Sequence, residues 1–125
     1  MTPFGARIRE LRGGRSIRLK RMAEDLQVSS AYLSALEHGH RGRPAPGLVM
    51  QIAGYFELIW DEVEDLKRLA QLSHPRVPVE TGGLAPRATL LANLLAAKIG
   101  ALDEDAIERM LAELGEEGEG APPKG

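Results

Sequence analysis

The sequence contains no cysteine, which excludes disulfide bridges and thiol chemistry and makes a reducing cytoplasm the natural setting. It also lacks any apolar run approaching the ~20 residues that a bilayer-spanning helix needs, and its N-terminus does not carry a signal-peptide pattern. A soluble, cytoplasmic chain with no membrane partner is therefore expected. Catalytic signatures are missing too. There is no phosphate-cradling G-x-x-x-x-G-K-[ST] loop, no paired-carboxylate constellation, and no Ser, His and Asp in an order that suits nucleophilic attack. No enzymatic role is expected. His38, His40 and His74 are the three histidines, and an H-x-H in a Gly/Arg loop lacks the Cys or carboxylate partners of a metal site. Neither a metal nor a cofactor is expected.

What is present is organised around charge and helical periodicity. The 125 residues suffice for one small domain with an extension but are short for two full cores. The net charge of −2 conceals an asymmetry: up to Leu58 there are nine Lys/Arg against five Asp/Glu, and from Ile59 onward seven against thirteen. A basic front half suits a module that docks on phosphates, with an acidic rear facing away from them.

The apolar spacing predicts only helices. Phe4, Ile8 and Leu11 mark a first helix over Pro3 to Arg12, stopped by Gly13-Gly14. Leu19, Met22, Ala23 and Leu26 mark a second, with Arg18 as a poor N-cap. Val28 is apolar, Ser29 is a good N-cap, and a third helix starting near Ser30 faces Leu33 and Leu36 inward and ends at Gly39. Two helices of about eight residues with about three between them make a helix-turn-helix over Leu19 to Gly39. After the loop HRGRPAPG, a fourth helix over Gly47 to Tyr55 turns Val49, Ile52 and Ala53 inward, followed by Phe56 and Leu58. A fifth runs from Trp60 to Leu72 with a stripe of Trp60, Val63, Leu66 and Leu69; the single tryptophan is expected to plug the core.

The combination Leu19-x-x-Met22-Ala23-x-x-Leu26, Val28-Ser29-x-x-Tyr32-Leu33-Ser34-x-Leu36-Glu37-x-Gly39, Pro44, Ile52-Ala53 and Phe56 resembles the phage-repressor-like helix-turn-helix regulators, the XRE or Cro/C1 type. The likeness covers Phe4 to about Leu66. It implies an all-α fold, a five-helix lambda-repressor-like DNA-binding domain, and a third helix whose leading residues enter the major groove of double-stranded DNA. Carried over, Ser29, Ser30, Ala31, Tyr32, Ser34, Ala35 and His38 lie on the DNA side, with Arg18, Lys20, Arg41 and Arg43 supplying phosphate contacts. Family members often carry Gln, Arg or Asn at the leading positions; Ser30 and Ala31 forgo bidentate base contacts worth about 1–3 kcal/mol each. Sequence reading then leans on hydroxyls, methyl contacts and DNA shape. The resemblance also implies a structural ion pair between Arg12 and Glu37. Leu19 stands where the family often has a phosphate-binding Gln, and Gln27 where Gly is common; a left-handed Gln27 costs about 1 kcal/mol.

Residues 1–72 form the expected DNA-binding domain and 73–83 a linker in which Val77 and Val79 suit a short edge strand. Residues 84–114 form a C-terminal helical hairpin, and 115–125 a disordered acidic tail. In the hairpin, Leu90, Leu91, Leu94, Leu95 and Ile99 make one apolar face, and Ile107, Met110, Leu111 and Leu114 another, behind an Asp103 N-cap. Two helices alone bury too little to be stable, so this hairpin is expected to be the dimerisation element of a homodimeric, nucleoid-associated repressor on a palindromic operator. The alternative is an antitoxin or adaptor that uses the hairpin to hold a protein partner, such as a toxin.

Overall fold

The computed structural model describes residues 1–115 and divides them into two compact units, Met1–Val77 and a second beginning at Pro78. The tail expected over 115–125 lies, apart from Gly115, outside the described residues. Every regular element is helical: α1 Pro3–Gly14, α2 Leu19–Leu26, α3 Ser30–His38, α4 Pro46–Tyr55 and α5 Trp60–Gln71 in the first unit, then α6 Pro86–Lys98, a 3₁₀ turn Ile99–Ala101 and α7 Glu104–Leu114. No strand occurs among the described residues, so Val77 and Val79 are extended chain with exposed side chains rather than an edge strand.

Local chemistry accounts for the helix ends. Thr2 Oγ1 accepts from Gly5 N at 2.9 Å and Pro3 occupies the first helical turn, where no intrahelical donor is needed. Gly13 and Gly14 do not stop α1; they lie inside it, and the helix closes at Arg15, whose N–H reaches Arg12 O and Gly13 O. Ser29 Oγ accepts from Tyr32 N at 3.0 Å and so starts α3. Arg18 gives α2 no side-chain cap. Gln27 closes α2 at φ +61°, in the left-handed region that favours glycine. Glu62 reaches back to accept from Ile59 N at 3.0 Å at the start of α5.

The core of the first unit is built by Phe4 and Ile8 of α1, Met22 and Ala23 of α2, Leu33 and Leu36 of α3, Leu48, Val49, Ile52 and Ala53 of α4, Phe56, and Leu66 and Ala70 of α5. Helix α1 packs on α3 and α5, α2 on α3 and α4, and α4 on α5. Trp60 is not part of this core. At the first helical position of α5 it precedes the inward stripe and stays 77% exposed, beside an exposed Ile59; Phe4 and Phe56 do the filling expected of it. The unit also extends past the expected boundary at Leu72, because Ser73 is buried, accepting from Phe4 N at 2.9 Å and donating to Leu69 O.

One close approach fixes α1 against α3. Thr2 N donates to Glu37 O at 3.0 Å, and a Cβ on Gly5 would fall 2.1 Å from that same carbonyl oxygen. Only glycine fits. The adjoining Glu37 side chain is buried and meets Arg12: Nε donates to Oε2 and Nη2 to Oε1, each at 3.2 Å. Arg12 Nη1 also donates to Ile17 O at 3.3 Å, so one guanidinium ties α1, the α1–α2 connection and α3 together.

In the second unit Asp103 caps α7, accepting from Ala106 N at 2.8 Å. No described residue from Pro78 onward is buried. The apolar side chains of α6 and α7, Leu91 at 63% and Leu114 at 80% among them, remain open to solvent.

Candidate nucleic-acid interface

The interface is built on α3 because Ser29 sets its start and Leu33 and Leu36 set its roll. With those two leucines buried, Ser30 and Ala31 are exposed at the leading end, Ser34 and Ala35 are half-buried further along, and His38 is exposed at the far end. His38 Nδ1 lies 2.9 Å from Ser34 O, which orients the imidazole along its own helix. The face is therefore small, hydroxylic and uncharged over its first turn.

Positive charge lies on the segments before and after α3 in the chain. Arg18 and Lys20 are exposed at the start of α2, on an open groove of about 700 Å³ also lined by Ser16, Arg21, Asp25 and Tyr55. Arg21 is committed elsewhere: its Nε donates to Asp25 Oδ1 and Oδ2 at 3.2 and 3.1 Å. Tyr55 OH donates to Asp25 Oδ2 at 2.6 Å. That hydroxyl, aided by Arg21, holds the Asp25 carboxyl below its ordinary value of 3.8, while burial and the neighbouring carboxylate raise the Tyr55 phenol. Neither Arg18 nor Lys20 forms an ion pair with a described residue.

At the other flank the guanidinium of Arg41 lies over the Tyr32 ring, 5.4 Å from its centroid, which holds this loop cation against α3. Arg43 does not join it. Its Nε donates to Gln71 O at 2.9 Å, which places it at the C-terminal end of α5, where a cation is favourable.

Two features were not anticipated from sequence. His40, Arg41, His74 and Arg76 come together around one cavity behind α3, although His74 and Arg76 lie more than thirty positions further along the chain. The signal was present in the basic character of both segments; the hydrogen bond from Phe4 N to Ser73 Oγ and that from Arg43 Nε to Gln71 O help to hold them together. Arg12 also has a further role as the donor to Ile17 O. Among the described residues no group of three or more His, Cys, Asp or Glu is placed to hold a metal ion, and no helix is long and apolar enough to cross a membrane.

The family described as a helix-turn-helix domain matches residues 3–75, which takes in all five helices of the first unit. A Bacillus subtilis (strain 168) protein, the uncharacterized HTH-type transcriptional regulator RghRB, is 33% identical over 63 residues. That alignment covers 50% of this chain and 45% of the relative, so the chain spans less than half the length of the curated relative it matches. No solved structure gives a significant match.

Proposed function

The chain belongs to the helix-turn-helix domain family, and on that premise we propose that it is a sequence-specific, double-stranded DNA-binding transcription regulator, a homodimeric repressor acting on a palindromic operator. The observation that carries the reading is the exposed leading end of α3, Ser30 and Ala31, in a motif whose other helix begins with the exposed cations Arg18 and Lys20 and whose following loop lays Arg41 over Tyr32 of α3. Such an arrangement separates the two tasks of DNA recognition. These cations hold phosphates and set affinity, and the short side chains allow a close approach to base edges.

Dimerisation follows from what one domain can read. A single helix in the groove contacts a few base pairs, and pairing two copies doubles the contacts on half-sites about one helical turn apart. Helices α6 and α7 supply the surface: Leu90, Leu91, Leu94 and Ile99 on α6 and its 3₁₀ turn, and Ile107, Met110 and Leu114 on α7, are uncovered apolar side chains that a second copy would bury, with Leu95 and Leu111 half-buried beside them. The same uncovered faces suit a different protein, and an antitoxin or adaptor is the second reading.

Two substitutions test the division of labour. Arg41→Ala should weaken binding to all sequences alike and lower the salt dependence, since one phosphate contact fewer releases one counterion fewer. Ser30→Ala should change preference at one base position while leaving the salt dependence unaltered. An Arg41→Ala protein with an unchanged salt slope, or a Ser30→Ala protein with an unchanged consensus, would remove that residue from the interface.

A further inference from the structure

Behind the C-terminal end of α3 lies an open cavity of about 530 Å³ lined by Gly39, His40, Arg41, Gly42, His74, Pro75 and Arg76. Its side-chain functional groups are two guanidinium and two imidazole groups, with no carboxylate. Neither Arg41 nor Arg76 forms an ion pair with a described residue. The site is shaped by backbone. Gly39 and Gly42 both have φ near +80°, which turns the loop back over the segment that follows α5. A Cβ on Gly42 would fall 3.4 Å from His74 Nε2, so this glycine leaves the imidazole edge uncovered. The ring itself is oriented: Arg76 N donates to His74 Nδ1 at 3.0 Å. With Nδ1 accepting, the neutral ring carries its proton on Nε2 and offers an N–H donor beside Gly42.

We propose that this cavity is a phosphate-group site that takes one backbone phosphate of the bound duplex, outside the stretch that α3 itself covers. Its donors are the Arg41 and Arg76 guanidiniums and His74 Nε2, with His40 at the rim. Guanidinium forks and a neutral imidazole N–H are donor-only groups toward an anion, and the lining holds nothing to compensate their charge. Arg41 links the cavity to α3, since this residue lines the one and lays its guanidinium over Tyr32 in the first turn of the other. This inference rests on the DNA-binding reading for the source of the phosphate, but not for the chemistry of the site.

The test uses the full chain and Arg76→Gln, an exposed position whose side chain makes no contact that the fold needs. Binding to a selected duplex is measured against salt, and histidine imidazole NMR signals are followed during titration with inorganic phosphate. The proposal predicts that Arg76→Gln lowers the salt slope, by at most about 0.9, the value of one phosphate on B-DNA that Arg41 still contacts, with the base consensus unchanged. It also predicts that one neutral methylphosphonate in the duplex abolishes the difference between the two proteins. An unchanged slope together with a saturable His74 shift by phosphate that Arg76→Gln removes would assign the site to a free phosphate group and overturn the DNA source. An unchanged slope with no saturable shift would overturn the site altogether. If the unmodified chain binds no duplex, the regulator reading fails and so does the DNA source, and the phosphate titration by itself decides whether the cavity holds a phosphate group.

Discussion

Replacing Arg12 by methionine should strongly destabilise this fold. Glu37 is 1% exposed, and both of its carboxylate oxygens receive Arg12. Removing the guanidinium leaves a carboxylate in the junction between α1 and α3 with no cation to answer it, a loss of about 3–5 kcal/mol for a buried pair broken on one side. Against the roughly 5–15 kcal/mol that holds a typical domain folded, such a loss brings the first unit close to unfolding. At about 4–8 °C per kcal/mol for a unit of this size, the melting temperature should fall by at least about 12 °C. Urea and thermal unfolding followed by circular dichroism measure it. The double substitution Arg12→Met with Glu37→Leu removes both charges and should be markedly more stable than Arg12→Met, because the stranded carboxylate is gone. It should not regain everything, since Ile17 O still lacks its donor, a loss of about 1 kcal/mol. A single-variant loss below about 1 kcal/mol, the range of an exposed ion pair, or a double variant no better than the single, would refute the reasoning.

Two other perturbations probe neighbouring parts of the fold. Gly5→Ala pushes a methyl group into Glu37 O and must part α1 from α3, so it should destabilise by about 3 kcal/mol or more, combining overpacking with a strained hydrogen bond; Gly13→Ala, whose Cβ meets nothing within 4 Å in the last turn of the same helix, should instead be neutral or stabilise by up to about 1 kcal/mol. Equal effects at the two glycines in unfolding experiments would contradict the close approach. Tyr55→Phe should raise the Asp25 carboxyl toward 3.8, read by NMR titration of its side chain, because the largest influence lowering it is gone. The sign follows from linkage: a carboxyl held low in the folded state contributes stability above its ordinary value and loses it as the pH falls through the folded value. The variant should therefore lose less stability on acidification, and an unmoved Asp25 titration would show that the hydroxyl does not act on it.

The helices were legible in the sequence where periodicity and capping agreed. Ser29 before an apolar i, i+3 pair at Leu33 and Leu36 located α3 to the residue, and Asp103 did the same for α7. Disagreement arose where a local rule met a tertiary or positional constraint. Gly13-Gly14 signals a stop, yet a helix end tolerates glycine and α1 simply continues to Gly14. Trp60 fits the apolar register of α5, but at the first helical position it overhangs the core rather than entering it, and residue size misleads there. The two prolines and valines after Ser73 read as an edge strand, whereas no partner strand exists among the described residues. For the candidate interface, roll and exposure of α3 can be read from a helical wheel. The direction of a loop arginine cannot: Arg43 turns to the end of α5 and Arg41 to Tyr32, two residues apart and in different directions. The cavity at His74 was illegible for a related reason, since it depends on a buried serine tying the end of α5 to α1.

The central claim is that α3 of two paired copies reads a palindrome, and the most direct test selects bound duplexes from a random pool with the full chain while measuring the mass of the free protein and of the complex. The account predicts a two-fold consensus with half-sites about one helical turn apart, two chains on each duplex, and a variant ending at Gly83 that is monomeric and binds the same site weakly. No enrichment, an asymmetric site bound by one chain, or a truncated protein that stays dimeric with full affinity would contradict it.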